Sequence, residues 1–141
     1  MQAAGDPRPP RIAKGHIMIV EDDVFVSDIC QVKVHVEGYD AIVAVNGMEA
    51  VKHLEEGKKP DLILLDIVMP YMDGMETLKR LNANEEWKNI PVIMLTNLSD
   101  KSQVEECLSL GAKDYIIKSH FTPSEVMAKV YAVLGVQKQA E

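Results

Sequence analysis

The sequence predicts an α/β protein in which five βα units form a doubly wound, five-stranded parallel sheet with helices on both faces. Three observations lead to this prediction. Short apolar runs recur along the chain, patterns typical of helices separate them, and the runs are apolar on both faces, as strands buried in a parallel sheet are. Right-handed crossovers then place helices on both sides of the sheet. The runs are Ile17–Val20, Ala41–Val45, Leu62–Leu65, Val92–Leu95 and Tyr115–Ile117.

The helical segments between these runs carry apolar spacing and capping signals. The first segment has apolar residues at the i, i+4, i+7, i+11 spacing of one helix face, namely Phe25, Ile29, Val32 and Val36. The last has the clearest start, with a capping hydroxyl at Thr122, Pro123 at the first helical position and Glu125 at the third. Gly135 suits the position after its end. The other expected starts are Asn46 with Glu49, Asp73 with Glu76, and Ser99 or Asp100.

Length and composition indicate one globular domain with short tails. The chain has 141 residues, of which 47% are apolar and 26% are charged, and this is enough for one packed core. Residues 1–16 contain Pro7, Pro9 and Pro10 and no apolar periodicity, so we expect a disordered N-terminal extension there. We expect the domain to span residues 17–135 and a C-terminal tail to span residues 136–141.

Charge and cysteine content exclude several classes of protein. A net charge of −7 opposes direct DNA binding, which needs a basic face, and it fits a protein that gathers carboxylates around a divalent cation. Cys30 and Cys107 form no Cys-x-x-Cys motif, which favours a reducing compartment. No signal-peptide stretch is present, and no apolar run approaches the ~20 residues that span a bilayer. We therefore expect a cytoplasmic protein that does not enter membranes.

Polar side chains of complementary chemistry follow four of the predicted strands. Glu21 and Asp22 follow the first strand, Asp66 the third, Thr96 the fourth and Lys118 the fifth. Ligands of open α/β sheets bind outside the carboxyl ends of the strands, so we expect these side chains to converge. Carboxylates bind Mg²⁺, an aspartate can act as the nucleophile in phosphoryl transfer, and lysine and hydroxyl groups stabilise phosphoryl oxygens. Each residue alone is weak evidence, but four strand ends rarely carry this set by chance.

Four motifs surround these strand ends. They are Ile-Val-Glu-Asp-Asp (19–23), Leu-Leu-Asp-Ile-Val-Met-Pro-Tyr-Met-Asp-Gly (64–74), Pro-Val-Ile-Met-Leu-Thr (91–96) and Gly-Ala-Lys-Asp-Tyr-Ile-Ile-Lys (111–118). With them, residues 17–134 closely resemble the chemotaxis-regulator-like receiver domains of two-component response regulators. The resemblance implies a flavodoxin-like fold and a phosphorylation-activated signalling function.

The resemblance also implies a role for each residue in phosphorylation. Asp66 is expected to be the phosphoacceptor and Lys118 to bind the phosphoryl group. Thr96 is the expected switch hydroxyl and Tyr115 the expected switch aromatic.

Mg²⁺ is the cofactor that the resemblance implies. Asp22 is expected to bind the ion directly and Glu21 through water. The Asp66 carboxylate and the backbone carbonyl of Val68 are the further expected ligands. Asp23 falls outside the acidic pair, so it is a candidate cap for the first helix.

The expected partners follow from the same resemblance. The donor would be a sensor histidine kinase or a phosphotransfer protein. Phosphorylation would switch the surface made by the fourth helix, fifth strand and fifth helix, the α4-β5-α5 surface, where a downstream effector or a second copy of the chain would bind. The domain would catalyse its own phosphorylation and dephosphorylation without turning over an external substrate.

Two features differ from the family pattern or affect its chemistry. Ser119 stands where a proline usually follows the lysine, so we expect a trans Lys118–Ser119 bond. Val68 and Leu98, two residues past Asp66 and Thr96, are apolar and cannot orient an attacking water, which predicts slow dephosphorylation.

Two other functions are compatible with parts of this pattern. A Mg²⁺-dependent phosphatase with an Asp nucleophile would commonly carry a second aspartate two residues after Asp66, where this chain has Val68. A pseudo-receiver that acts as a binding scaffold would be expected to lack the acceptor, an acidic residue or the lysine, and all of these are present.

Overall fold

A five-stranded parallel sheet forms the centre of the protein. The computed structural model describes residues 13–97 and 101–136. The strands are β1 (His16–Val20), β2 (Asp40–Ala44), β3 (Leu62–Asp66), β4 (Val92–Thr96) and β5 (Asp114–Ile117). They are ordered β2-β1-β3-β4-β5, and every neighbouring pair is parallel. This confirms the predicted doubly wound fold.

Five helices in the described part of the chain cover the two faces of the sheet. They are α1 (Val24–Val36), α2 (Gly47–Glu55), α3 (Gly74–Asn82), α4 (Lys101–Ser109) and α5 (Pro123–Leu134). Helices α2, α3 and α4 pack on one face through residues such as Leu54, Leu78 and Val104. Helices α1 and α5 pack on the other through residues such as Val34 and Val130. No helix in the described ranges is long and apolar enough to cross a membrane.

Most of the predicted helix caps are present. The side chains of Asn46, Asp73 and Thr122 each accept a hydrogen bond from the backbone N–H three residues on. Gly135 ends α5 with a φ of 71°, in the left-handed region that favours glycine. The proposed caps of α4, Ser99 and Asp100, lie outside the described residues.

The apolar stripe on α1 faces away from the sheet. Phe25 is 81% exposed, and the rest of the stripe is exposed with it. The face of α1 that packs on the sheet consists instead of Ser27, Cys30 and Val34. Helical periodicity therefore identified the helix, but the most apolar stripe on α1 is not the buried one.

The first strand begins one residue before the predicted domain boundary at residue 17. His16 is the first residue of β1, and its backbone N–H donates to Asp61 Oδ2 at 2.8 Å. The N–H of Lys14 donates to the carbonyl of Gly38 at 2.8 Å. The domain boundaries stay a prediction, and residues 1–12 and 137–141 of the two predicted tails lie outside the described residues.

Candidate functional site

The strand order creates a crevice at the carboxyl edge of the sheet. β1 lies between β2 and β3, so the connections after β1 and β3 leave towards opposite faces of the sheet. Such a switch point is where open α/β sheets bind ligands. Glu21 directly follows β1, and Asp66 is the last residue of β3. The structure therefore places two of the predicted acidic residues at the switch point.

Lys118 directly follows the edge strand β5, and its side chain reaches into this crevice. Its backbone N–H donates to the carbonyl of Thr96 at 2.7 Å, which aligns the end of β5 with the end of β4. Its Nζ lies 2.9 Å from Glu21 Oε1 and 3.3 Å from Asp66 Oδ2. Residues almost 100 positions apart in sequence thus form one ionic cluster.

The two carboxylates beside Lys118 are buried. Glu21 is 1% exposed and Asp66 is 3% exposed, whereas Asp22 is open to solvent. Despite the ion pairs with Lys118, neither Glu21 Oε1 nor Asp66 Oδ2 accepts a well-oriented hydrogen bond from the described residues. Buried carboxylate oxygens normally have such donors, so the cluster retains binding capacity.

Burial and mutual repulsion perturb the protonation of the cluster. Burial of Asp66, and next the neighbouring Glu21 carboxylate, raise its pKa to about 8, although the Lys118 ammonium opposes the rise. Burial alone would lower the pKa of Lys118, but Glu21 and Asp66 raise it above its ordinary value. Asp66 is therefore harder to ionise than an ordinary aspartate, and a further cation beside it would favour ionisation.

The cluster fits a divalent cation. Glu21, Asp22 and Asp66 can each offer one carboxylate oxygen, and these oxygens lie within 4.8 Å of one another. When all three are ionised, Lys118 neutralises only one of their charges. A divalent ion would balance the remaining two, and carboxylate oxygens are the ligands that Mg²⁺ prefers.

The backbone around the cluster fixes its geometry. The N–H of Asp23 donates to Glu21 Oε2 at 3.0 Å, and Asp23 itself caps α1 by accepting from Phe25 and Val26. The turn after β3 closes through a 2.7 Å hydrogen bond from Gly74 N–H to the Ile67 carbonyl.

Gly74 is a site residue to which the sequence analysis gave no role. A Cβ there would collide with the carbonyl oxygen of Asp66 and would lie 2.8 Å from the Cα of Ile67. Only glycine therefore lets α3 begin against the acceptor strand. The Asp73-Gly74 pair in the second motif was the available signal.

The predicted switch residues line one groove next to the cluster. Thr96 is buried, and its Oγ1 donates to the carbonyl of Asn97 at 3.1 Å. Tyr115 is 38% exposed, and its ring centroid lies 5.8 Å from Lys129 Nζ. Both residues border a groove against α4 whose walls include Val104 and Leu108. The structure thus brings Thr96 and Tyr115 to one surface with space beside them.

The remaining sequence predictions concern the loops. The Lys118–Ser119 bond is trans, as predicted. Val68 lies in the loop after β3 with its side chain exposed, and it supplies no acid or base there. Leu98 lies outside the described residues.

Comparison with known proteins identifies the family. The family model of the response regulator receiver domain matches residues 17–131 of this sequence. The chain belongs to this family. Its receiver domain is a phosphorylation-activated signalling module with an acidic pocket.

Curated relatives and solved structures agree with this assignment. The alkaline phosphatase synthesis transcriptional regulatory protein PhoP of Bacillus subtilis is 39% identical over 118 residues, which cover 84% of this chain and 48% of PhoP. The phosphate regulon transcriptional regulatory protein PhoB of Rhizobium meliloti is 36% identical over 84% of this chain and 51% of PhoB. The chain thus spans about half the length of these relatives.

Two solved receiver domains match nearly end to end. The receiver domain of a Syntrophus aciditrophicus signal transduction histidine kinase has a TM-score of 0.78 and 35% identity over 90% of this chain and 95% of its own. The receiver domain of sensor histidine kinase PA1611 from Pseudomonas aeruginosa has a TM-score of 0.78 and 28% identity, and the match covers 87% of this chain and 99% of that domain. In PA1611 a magnesium ion is coordinated in the active-site cleft.

Proposed function

We propose that this receiver accepts a phosphoryl group on Asp66 from the phosphohistidine of a sensor histidine kinase or a phosphotransfer protein. The observation that carries the proposal is the position of Asp66, which is buried at the switch point between Glu21 and Lys118. Transfer forms a bond between an Asp66 oxygen and phosphorus and breaks the phosphorus–nitrogen bond of the donor. The domain promotes only its own phosphorylation and dephosphorylation.

Each neighbouring side chain has a separate task in this transfer. Lys118 Nζ, already 3.3 Å from Asp66 Oδ2, stabilises the negative charge on the phosphoryl oxygens. The Thr96 hydroxyl donates a hydrogen bond to one of those oxygens after it leaves the Asn97 carbonyl. Glu21 holds Lys118 in place through their 2.9 Å contact.

We propose Mg²⁺ as the cofactor, held by Asp22 and Asp66 directly, by the Val68 carbonyl and by Glu21 through water. The bound ion supplies positive charge that offsets repulsion among the carboxylates and the phosphoryl oxygens. Two observations support the assignment: the three carboxylates outnumber the single lysine, and two of their buried oxygens lack well-oriented donors. Asp66 must be ionised to act as a nucleophile, and a cation beside it would offset the burial and the Glu21 charge that raise its pKa.

We propose that phosphorylation changes the conformation of the α4-β5-α5 surface. When Thr96 turns towards the phosphoryl group, the groove between β5 and α4 gains space into which the Tyr115 ring can rotate. That rotation separates Tyr115 from Lys129 and changes the surface available to an effector or a second copy of the chain. We propose a cytoplasmic location and no direct DNA contact by this domain, in keeping with its net charge of −7.

Acetyl phosphate labelling tests the proposed acceptor. The wild type should be labelled with Mg²⁺ and not with EDTA, Asp66→Asn should not be labelled, and Asp22→Ala should need more Mg²⁺. Asp28→Asn, which makes the same chemical change on the exposed side of α1, is the control and should behave as wild type. Equal labelling of Asp66→Asn and the wild type would refute the assignment.

Beryllofluoride, which mimics the phosphoryl group, tests the output surface. It should shift the backbone NMR signals of α4, β5 and α5 in the wild type. Thr96→Ala should still bind the mimic but show smaller shifts around Tyr115. A wild-type spectrum unchanged on that surface would refute the switch.

A further inference from the structure

Tyr71 has a backbone conformation that tyrosine disfavours. Its φ is 70°, and among residues 13–97 and 101–136 it is the only residue other than glycine with a positive φ. The other positive-φ positions are Gly38, Gly57, Gly111 and Gly135. A Cβ in the left-handed region crowds the following carbonyl oxygen, which is why glycine and asparagine are usual there. Folding alone would therefore favour a different residue at position 71.

The side chain of Tyr71 does not compensate by packing into the core. It is 87% exposed, so the ring buries little surface on folding. The ring borders a shallow groove on α2 together with Asn46, Met48 and Lys52. Met48 is 56% exposed, and we call Met48 and Tyr71 together the Tyr71 patch. An aromatic ring that is costly for the backbone and exposed beside another apolar side chain indicates a contact made outside the chain.

The Tyr71 patch lies in the loops that surround the phosphoacceptor. Tyr71 belongs to the connection between Asp66 and Gly74, which follows the acceptor strand directly. The N–H of Gly47 donates to the carbonyl of Met72 at 3.1 Å and joins this connection to the start of α2. The same connection is closed by the hydrogen bond from Gly74 to Ile67. These hydrogen bonds therefore hold the backbone that carries the Tyr71 patch at the carboxyl edge of the sheet.

Because Asp66 is buried, small and protein phosphodonors must approach it in different ways. With 3% of Asp66 exposed, a donor has to enter the crevice between the loops at the carboxyl edge. A small donor can do so without covering the rim. A protein that inserts a phosphohistidine must lay its surrounding surface over those loops, and the exposed Tyr71 belongs to the loop that directly follows the acceptor strand.

We infer that Tyr71 is a specificity-determining contact for the protein phosphodonor. This inference rests on the proposed function and deepens it. The partner surface it fits carries a phosphohistidine with an apolar side chain nearby that packs on the ring of Tyr71 and on Met48. Tyrosine suits this task because its large rigid ring loses little entropy on binding, and such residues dominate the binding energy of interfaces. Small donors such as acetyl phosphate gain nothing from the ring.

Three substitutions separate the ring from the backbone. Tyr71→Phe keeps the ring in the left-handed backbone. Tyr71→Ala removes the ring and keeps a side chain in that backbone. Tyr71→Gly removes the ring and also relieves the backbone, so it should unfold at a higher temperature than Tyr71→Ala.

Phosphotransfer kinetics with two donors test the inference. The protein probes are the ³²P-autophosphorylated cores of the histidine kinases encoded in the same genome, and the small probe is acetyl phosphate. With the core that has the highest kcat/KM for the wild type, Tyr71→Ala and Tyr71→Gly should both lose about tenfold or more in kcat/KM, mainly through KM. Tyr71→Phe should stay within about twofold of wild type. All three variants should react with acetyl phosphate at the wild-type rate.

Several outcomes would overturn the inference. If the Ala and Gly variants react with the kinase core at the wild-type kcat/KM, Tyr71 makes no contact that matters for transfer. A parallel loss with acetyl phosphate would place the effect in the phosphoacceptor site itself. A change in the oligomeric state of the unphosphorylated protein on removing the ring would assign the patch to a self-contact instead. Labelling of the wild type by acetyl phosphate but by none of the cores would also contradict it, whereas no labelling by acetyl phosphate would refute the proposed function.

Discussion

Removal of the Asp66 charge should stabilise the metal-free protein, increasingly so as the pH rises. The pKa of Asp66 is about 8 in the folded protein against an ordinary value of 3.8. Between these values the folded state holds a proton that the unfolded state releases, so the free energy of unfolding falls as the pH rises through this range and stays low above it. The difference between the two pKa values corresponds to at most about 6 kcal/mol. Local relaxation and water entry reduce such penalties, so we expect Asp66→Asn to gain on the order of 3 kcal/mol at pH 8.

Urea unfolding followed by circular dichroism measures this gain. Wild type and Asp66→Asn are compared in EDTA at pH 5, 6, 7 and 8, with Glu55→Gln as a control that removes one charge from an exposed position on α2. The stability difference between Asp66→Asn and wild type should widen with pH, and the control should show no such trend. A difference that is independent of pH, or an Asn variant less stable than wild type at pH 8, would refute the electrostatic account of the cluster.

Three other predictions follow from the same structure. Mg²⁺ binding requires ionised Asp66, so the affinity of the protein for Mg²⁺ should rise by up to about tenfold per pH unit between pH 6 and 8. Isothermal titration calorimetry measures this affinity, and a constant value would contradict the raised pKa of Asp66. Gly74→Ala should lose about 3 kcal/mol or more in urea unfolding, because its Cβ collides with the Asp66 carbonyl oxygen; wild-type stability would show that the turn relaxes. Thr122→Ala removes the oxygen that accepts a hydrogen bond from Glu125 N–H, so it should cost about 1 kcal/mol in stability without slowing acetyl phosphate labelling. Slower labelling would mean that the cap also positions the site.

The fold was predictable because its signals are local and repeated. Five strands were located to within one residue at each end, since each appears as a short apolar run. The central strands β1, β3 and β4 are buried on both faces, whereas the edge strands β2 and β5 are only partly buried. Helix α1 shows where this reasoning stops. Its spacing identified a helix, but the buried face carries Ser27 and Cys30 while Phe25 is exposed. Periodicity reports that one stripe of a helix is apolar and does not report what, if anything, covers that stripe.

The composition of the site was predictable, whereas its contacts were not. Asp66, Glu21 and Lys118 could be assigned to strand ends, and the topology then requires them to meet at one edge. The sequence could not indicate that Lys118 lies closer to Glu21 than to Asp66, because that depends on side-chain conformations across three strands. The left-handed backbone of Tyr71 was equally hidden, because the residue type argues against it.

Chemical mapping of the phosphorylated residue tests the central claim most directly. Protein treated with acetyl phosphate and Mg²⁺ is reduced with borohydride, which converts an aspartyl phosphate to homoserine, and its peptides are sequenced by mass spectrometry. The account predicts homoserine at position 66 and unmodified aspartate at positions 22 and 23. Homoserine at another aspartate, with position 66 unmodified, would contradict it.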